Sequence, residues 1–288
     1  MLSKFLQSGK FWIIACVIIL ISGIIFLSKE VEKSVLLIDY VTVEKEEDIK
    51  IISDSLVEPV LYTNVQLLDD LNSEERKNRF IDITLPTILI YRYQLSQRRQ
   101  RAESLKEDAR YSRPWTSEDS LFMNEQFGKY NTKNFDELIK RMYPPPVSLT
   151  LAQAAIESGW GSSRFFKEAN NIFGVWSFNS SEERILANFS REGGQSVYLK
   201  KYENLLGSVE DYHLVLARGQ QYSEFRDCIS RSNNVFELIW YLRIYSEKRD
   251  QYVIMLRNII SSNDLLKYDN YILHPEFFVY PSDEDVVL

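Results

Sequence analysis

The chain of 288 residues, 45% hydrophobic and 26% charged, is long enough for one or two domains with a sizeable core. Its formal net charge of -7 argues against nucleic-acid binding, which requires a basic face. Two cysteines and two histidines, none in a metal-ligand spacing, argue against a disulfide framework, a zinc centre or a histidine-based triad, so neither metal nor cofactor is expected.

Residues 11–28, FWIIACVIILISGIIFLS, carry no charge between Lys10 and Lys29. At about 1.5 Å per residue such a run reaches ~27 Å, the span of a bilayer core. Lys4 and Lys10 precede it, whereas Lys29, Glu30, Glu32 and Lys33 beyond it have no positive excess. The positive-inside rule then places the N-terminus in the cytoplasm and the rest outside. The following LSKEVEKS lacks a small-residue cleavage site. The run is therefore read as an uncleaved single-pass anchor in the inner membrane, with membrane lipid as a partner and the remainder in the periplasm. Cys16 falls inside it, leaving Cys228 alone as an expected core residue.

Residues 29–70 read as a stalk or poorly defined lead-in, with a β-branched stretch at 34–43 as a candidate strand. Residues 71–143 read as a helical lead-in. Asn72-Ser73-Glu74-Glu75 forms a capping box. It opens a helix to about Leu105 that Pro86 should kink or interrupt and whose charged later half should be solvated. Thr116 and Asn134 cap helices over 116–129 and 134–142, and Pro144-Pro145-Pro146 ends the lead-in.

A core over 144–262 follows. Ser148 is a candidate cap for a helix whose stripe is Leu151, Ala152, Ala155 and Ile156, with Gly159 as a left-handed stop. Short β-prone runs at 184–189 and 196–202 flank Glu192-Gly193-Gly194-Gln195 and predict a hairpin. Helices over 208–218, closed by Gly219, then 222–229, 235–244 and 248–260 come next, and 263–288 reads as an extended surface tail. The expected fold class is mainly α with a small β-hairpin lobe, preceded by a transmembrane helix.

Glu157 falls in the last turn of the helix that Gly159 ends. The negative end of the helix dipole disfavours its charged form, and burial beside Trp160 or Phe173 would do the same. A carboxyl kept protonated near neutrality can donate its proton to a leaving glycosidic oxygen. By position alone, a Glu at a helix end is more often a surface residue. Gly159-Trp160-Gly161, however, sets a flat ring on a turn beside the acid, and Asn170, Asn171 and Phe173 add amides and another ring. Acid, rings and amides together suit a polyhydroxylated, N-acetylated sugar.

AQAAIESGWGSSRF followed by NNIFGVWSF resembles the glucosaminidase domain of glycoside hydrolase family 73, the mannosyl-glycoprotein endo-beta-N-acetylglucosaminidase-like family, and within it the Bax-type branch. Arg79-Phe80-Ile81 with Leu85-Pro86, and Tyr245-Ser246-Glu247-Lys248-Arg249 with Tyr252-Val253, extend the likeness over roughly 79–260. The resemblance implies a lysozyme-like α+β fold with a short β lobe across a groove. It implies an endo-beta-N-acetylglucosaminidase-type hydrolase of the β-1,4 bond after N-acetylglucosamine in peptidoglycan glycan strands.

Under the same resemblance Glu157 is the general acid and Tyr252 lies near the reacting sugar. Trp160, Phe173 and Tyr245 line the groove, and the Asn171 amide is a further candidate substrate ligand. The second carboxylate would come from the β lobe, with Glu192 at the hairpin turn first and Glu182 and Glu183 as alternatives. A route without it uses the sugar's own 2-acetamido oxygen, oriented by Tyr252. Two other readings share these features: a lytic transglycosylase, and an inactive membrane-tethered protein that binds glycan.

Overall fold

The computed structural model describes residues 34–190 and 196–280, so the apolar run at 11–28 and the hairpin turn bearing Glu192 lie outside the described residues. Among the described residues no helix is long and apolar enough to cross a membrane. The chain divides into two units. The smaller combines Met1–Leu37 with Phe278–Leu288, where the strands Val35–Leu36 and Phe278–Val279 pair antiparallel. The larger, Ile38–Phe277, holds everything that follows and is mostly helical with small sheets.

Residues expected to form a stalk instead enter the core. Strand β1 (Asp39–Thr42) pairs in parallel with a strand over Val60–Thr63, which buries Val60, Leu61 and Tyr62. Between them lies β2 (Leu56–Val57), so Val60–Thr63 is β3. The expected surface tail also folds inward. Leu265 and Leu273 are buried, and Ile272–Leu273 pairs in parallel with β2. These two short strands are each other's only ladder partner among the described residues, so the tail and the expected stalk are joined through them.

Helix α1 (Ser73–Arg110) starts with the predicted capping box: the Asn72 side chain accepts from the Glu74 and Glu75 N–H groups, and Glu75 returns a bond to the Asn72 N–H. It is not interrupted at Pro86. The missing N–H costs one ladder bond. The Thr84 and Thr87 hydroxyls bond back to the carbonyls of Phe80 and Ile83, and residues 80–91 are buried all round, so tertiary packing carries the helix through the proline. The later half is less solvated than its charge predicts: Leu95, Ala102 and Leu105 are buried, and Arg101 pairs with Glu118 and Asp119.

Helices α2 (Ser117–Lys129) and α3 (Phe135–Arg141) carry the predicted Thr116 and Asn134 caps. Helix α4 (Val147–Ser158) lies against α1 and is followed by α5 (Arg164–Ala169). A three-stranded antiparallel lobe comes next: β4 (Trp176–Ser177), β5 (Arg184–Ser190) and β6 (Ser196–Lys200), with β6 in the middle. Then come α6 (Leu205–Arg218), α7 (Ser223–Ile229), α8 (Val235–Tyr241) and α9 (Asp250–Ser262), and the chain closes with a 3-10 turn over Leu265–Asn270 and β7 (Ile272–Leu273). Gly219 ends α6 at φ -62 rather than in the expected left-handed conformation. A side chain there is excluded by space, since a Cβ would stand 2.6 Å from the Tyr222 ring. Cys228 is a buried free thiol.

Candidate active site

Helix α4 is apolar on nearly every face and is buried accordingly. Ser148 does not cap it; Pro146 is the N-cap residue, and the carboxylate of Asp269 accepts both the N–H and the hydroxyl of Ser148 at 2.8 and 2.7 Å. At the other end Gly159 adopts φ 60, ψ 44, and the Gly159 and Trp160 N–H groups both return to the carbonyl of Ala155. Gly161, at φ +78, sits where a Cβ would meet Leu68 at 2.5 Å. Ser158 pins the turn from inside, accepting from the Gly161 N–H and donating to the Ala154 carbonyl. Trp160, at φ 58, turns toward α1, with its ring edge-on to Phe80 at 5.6 Å and 5.4 Å from the Lys77 ammonium.

This turn leaves Glu157 half-buried at the open end of α4. The Tyr252 hydroxyl donates to Glu157 Oε1 at 2.7 Å, while Oε2 makes no hydrogen bond among the described residues. Burial pushes the carboxyl above its ordinary range; the Tyr252 bond and the Lys248 charge pull it part of the way back. The negative end of the α4 dipole acts in the same direction as burial. Glu157 therefore holds its proton to higher pH than an exposed glutamate, with one oxygen occupied and the other open.

Tyr252 does not line an opening. It is 1% exposed, and its oxygen accepts from Gln153 Nε2 at 3.0 Å. Gln153 Oε1 in turn accepts from the Tyr212 hydroxyl at 2.5 Å. Three helices, α4, α6 and α9, thus meet in one chain of hydrogen bonds ending on Glu157. Stacked rings hold it: Tyr245 on Tyr252 at 5.7 Å and 13°, and Phe173 on Tyr212 at 4.1 Å and 15°. Phe173 is buried in this stack, whereas Tyr245 keeps part of its surface open. Tyr252, expected near the reacting sugar, stands buried directly behind Glu157, and Phe173 serves as a support for Tyr212.

Asn171 also takes a different role from the one expected. It is 1% exposed, its amide donates to the carbonyls of Val175 and Lys200, and its oxygen accepts the Val175 N–H. It locks the loop before β4 onto β6 and has no donor left for a ligand. Asn170, at φ 50, does the same for the carbonyls of Tyr202 and Glu203. Among the described residues the lobe exposes the rings of Trp176 and Phe178, 6.1 Å apart. Among the lobe carboxylates, Glu182 accepts from Ser177 Oγ at 2.7 Å and pairs with Lys200 at 3.4 Å, which holds it below the ordinary carboxylate range. Glu183 is exposed, and Glu192 lies outside the described residues.

Sequence reasoning missed Gln153, Tyr212 and Asp269. Gln153 had a legible signal: it is a polar side chain one turn before Glu157 in an otherwise apolar helix. Tyr212 and Asp269 had none, because their partners are distant in the chain.

Residues 132–265 match the family model described as "Glucosaminidase: Mannosyl-glycoprotein endo-beta-N-acetylglucosaminidase". The chain is 25% identical over 139 residues to the exo-glucosaminidase LytG of Bacillus subtilis, a match covering 46% of this chain and 49%, about half, of that relative. Similar solved structures include the catalytic domain of the autolysin Auto from Listeria monocytogenes, at 25% identity and TM-score 0.37, covering 58% of this chain and 96% of that one. The glycoside hydrolase domain of FlgJ from Salmonella typhimurium is similar at 19% identity and TM-score 0.34, covering 50% and 90%.

Proposed function

We propose that the region matching the glucosaminidase family model, residues 132–265, hydrolyses the β-1,4 bond after N-acetylglucosamine in peptidoglycan, with Glu157 as general acid. The observation that carries this reading is the state of Glu157: a half-buried carboxyl with a raised pKa, held on Oε1 by Tyr252 and open at Oε2. In the reaction, the proton on Oε2 passes to the leaving glycosidic oxygen as its bond to the anomeric carbon breaks. Water then adds to that carbon, gives up its proton to the second carboxylate, and leaves a reducing N-acetylglucosamine end.

Tyr252 acts through Glu157 as a positioning residue. Its one proton and one of its lone pairs are engaged, so it is poorly suited to orient the sugar's acetamido group. The second carboxylate we propose is Glu192, in the sequence between β5 and β6. Glu182 suits that role less, being tied to Ser177 and Lys200. Residues 11–28 serve in this reading as an inner-membrane anchor, which sets the domain beside the wall on the periplasmic side.

The test is product analysis. Purified protein is incubated with peptidoglycan and the released muropeptides are weighed by mass spectrometry. Reducing N-acetylglucosamine ends, lost in Glu157→Gln, support the reading. Anhydro-muramic ends would reassign the chain to the lytic transglycosylases, and glycan retention without cleavage would make it a binding protein.

A further inference from the structure

We infer that Gln153 is a positioning residue for the reaction: it fixes the direction of the hydrogen-bond chain through Tyr252, so that Glu157 Oε1 always accepts and the catalytic proton is confined to Oε2. The inference rests on the general-acid role proposed for Glu157 and deepens it.

The argument is one of donor and acceptor inventory. Gln153 is fully buried, and both ends of its amide are engaged within the protein. The Tyr212 hydroxyl donates to Oε1, which leaves Nε2, a donor only, facing the Tyr252 oxygen. A phenol has a single proton. With its oxygen receiving from Nε2, Tyr252 directs that proton at Glu157 Oε1, 2.7 Å away. An oxygen that receives a hydrogen bond there cannot also present its own proton along the same line. The acid proton must therefore sit on Oε2, the oxygen without a partner. Without the Gln153 donor, Tyr252 could rotate to accept a proton from Glu157, which would turn the acid inward, away from a substrate.

The reversed amide makes the opposite prediction. Tyr252 would then donate to Gln153, and Glu157 would donate its proton to Tyr252. Removing Gln153 would destabilise the protonated acid in that case, whereas in the observed arrangement it destabilises the carboxylate. The direction of the pKa change on losing Gln153 thus separates the two. The other ionisable groups facing Glu157 are Lys248 and Tyr245 from the segment before α9 and Tyr212 from α6. Gln153→Met leaves Lys248 and Tyr245 in place and frees only the Tyr212 hydroxyl, whose bond runs to Gln153 and not to Glu157.

The experiment titrates Glu157 in Gln153→Met, which keeps side-chain length and removes both hydrogen bonds. Carbon-13 NMR of the glutamate carboxyls reports the titration, with the Glu157 resonance identified by its absence from Glu157→Gln. The midpoint is expected to rise by about half to one pH unit, the effect of losing one hydrogen bond to a carboxylate. In a Tyr252→Phe background the same substitution should move it no further. Tyr212→Phe, which keeps the ring stacked on Phe173, releases the amide and should give a smaller rise; it serves if Gln153→Met does not fold. On peptidoglycan, kcat should fall roughly 3- to 10-fold with KM unchanged, and the alkaline limb should follow the midpoint upward.

A midpoint that falls or stays fixed overturns the inference, as does an equal shift without Tyr252. If the wild type releases no reducing ends, the proposed function has failed while the NMR midpoint still decides the role of Gln153.

Discussion

Asp269 reaches back 121 positions to hold both the backbone N–H and the hydroxyl of Ser148, so the residue that completes the start of the acid-bearing helix lies in the 3-10 turn beyond α9. The first turn of α4 has no side-chain cap of its own, since Pro146 offers no acceptor. A carboxylate at a helix N-terminus satisfies an orphan N–H and meets the positive end of the dipole. Asp269→Ala should therefore cost about 1–3 kcal/mol, because it also strands the buried Ser148 hydroxyl. Urea denaturation measures this. An unchanged midpoint would show that the bond contributes nothing.

The same contact predicts the outcome of truncation. A chain cut after Ser262 keeps every helix that the sequence pattern delimits, yet loses Asp269, the buried Leu265 and Leu273, and the partner strand of β2. It should unfold at markedly lower temperature than a chain ending after Phe277, as read by circular dichroism. Equal melting temperatures would exclude a structural role for residues 263–277.

What was legible in the sequence follows from range. The caps at Asn72, Thr116 and Asn134, the Gly159 stop and the strands flanking the hairpin depend on neighbours within a few residues, and pattern reaches that far. Pro86 misled because its local cost is outweighed by burial on every side of α1. The stalk and the tail misled because their pairings are not local: β1 pairs with β3 across the intervening β2, and β2 pairs with β7 from beyond the last α-helix. At the site, a helix-end Glu followed by Gly-Trp-Gly singled out Glu157. The supporting chain through Gln153, Tyr212 and Tyr252 spans separations of 59 to 99 residues, which no local pattern encodes.

Gly161 tests how closely the turn after Glu157 is built. Its φ of +78 strains any L side chain, and a Cβ would stand 2.5 Å from Leu68 and 3.2 Å from Phe80 and Phe166. Gly161→Ala should destabilise by about 2–4 kcal/mol, combining backbone strain with overpacking. It should also lower activity in the fraction that stays folded, because displacing the turn displaces the end of α4. Thermal melts and turnover on peptidoglycan check both; a neutral substitution would mean that the turn is loose.

At the acid itself, Glu157→Gln removes the proton donor while keeping the shape. It should lower kcat by roughly 10²- to 10⁴-fold at the pH optimum. Tyr252→Phe keeps the acid and removes its orienting bond. Because that bond lowers the Glu157 pKa, its loss should shift the alkaline limb of the rate profile to higher pH while the plateau falls. A limb that moves to lower pH would contradict the donor role of Tyr252.

His213 gives the pH dependence of stability away from the site. It is 2% exposed: Nε2 donates to the Tyr143 carbonyl, and Nδ1 accepts from the Tyr91 hydroxyl. Burial, reinforced by the Arg98, Arg92 and Lys129 charges, drives its pKa from 6.5 down to about 4. The unfolded chain therefore binds a proton between these values that the folded chain refuses. Stability from this group is complete above pH 6.5, falls by about 1.4 kcal/mol per pH unit below it, and stops changing below about 4. Other groups titrate in the same window, so the measurement is the difference between wild type and His213→Gln, whose amide can still donate to Tyr143. Wild type should lose about 3 kcal/mol more than the variant between pH 6.5 and 4, and nothing more between 6.5 and 8. A difference that does not vary with pH would mean that His213 is protonated as readily in the folded protein as in the unfolded one.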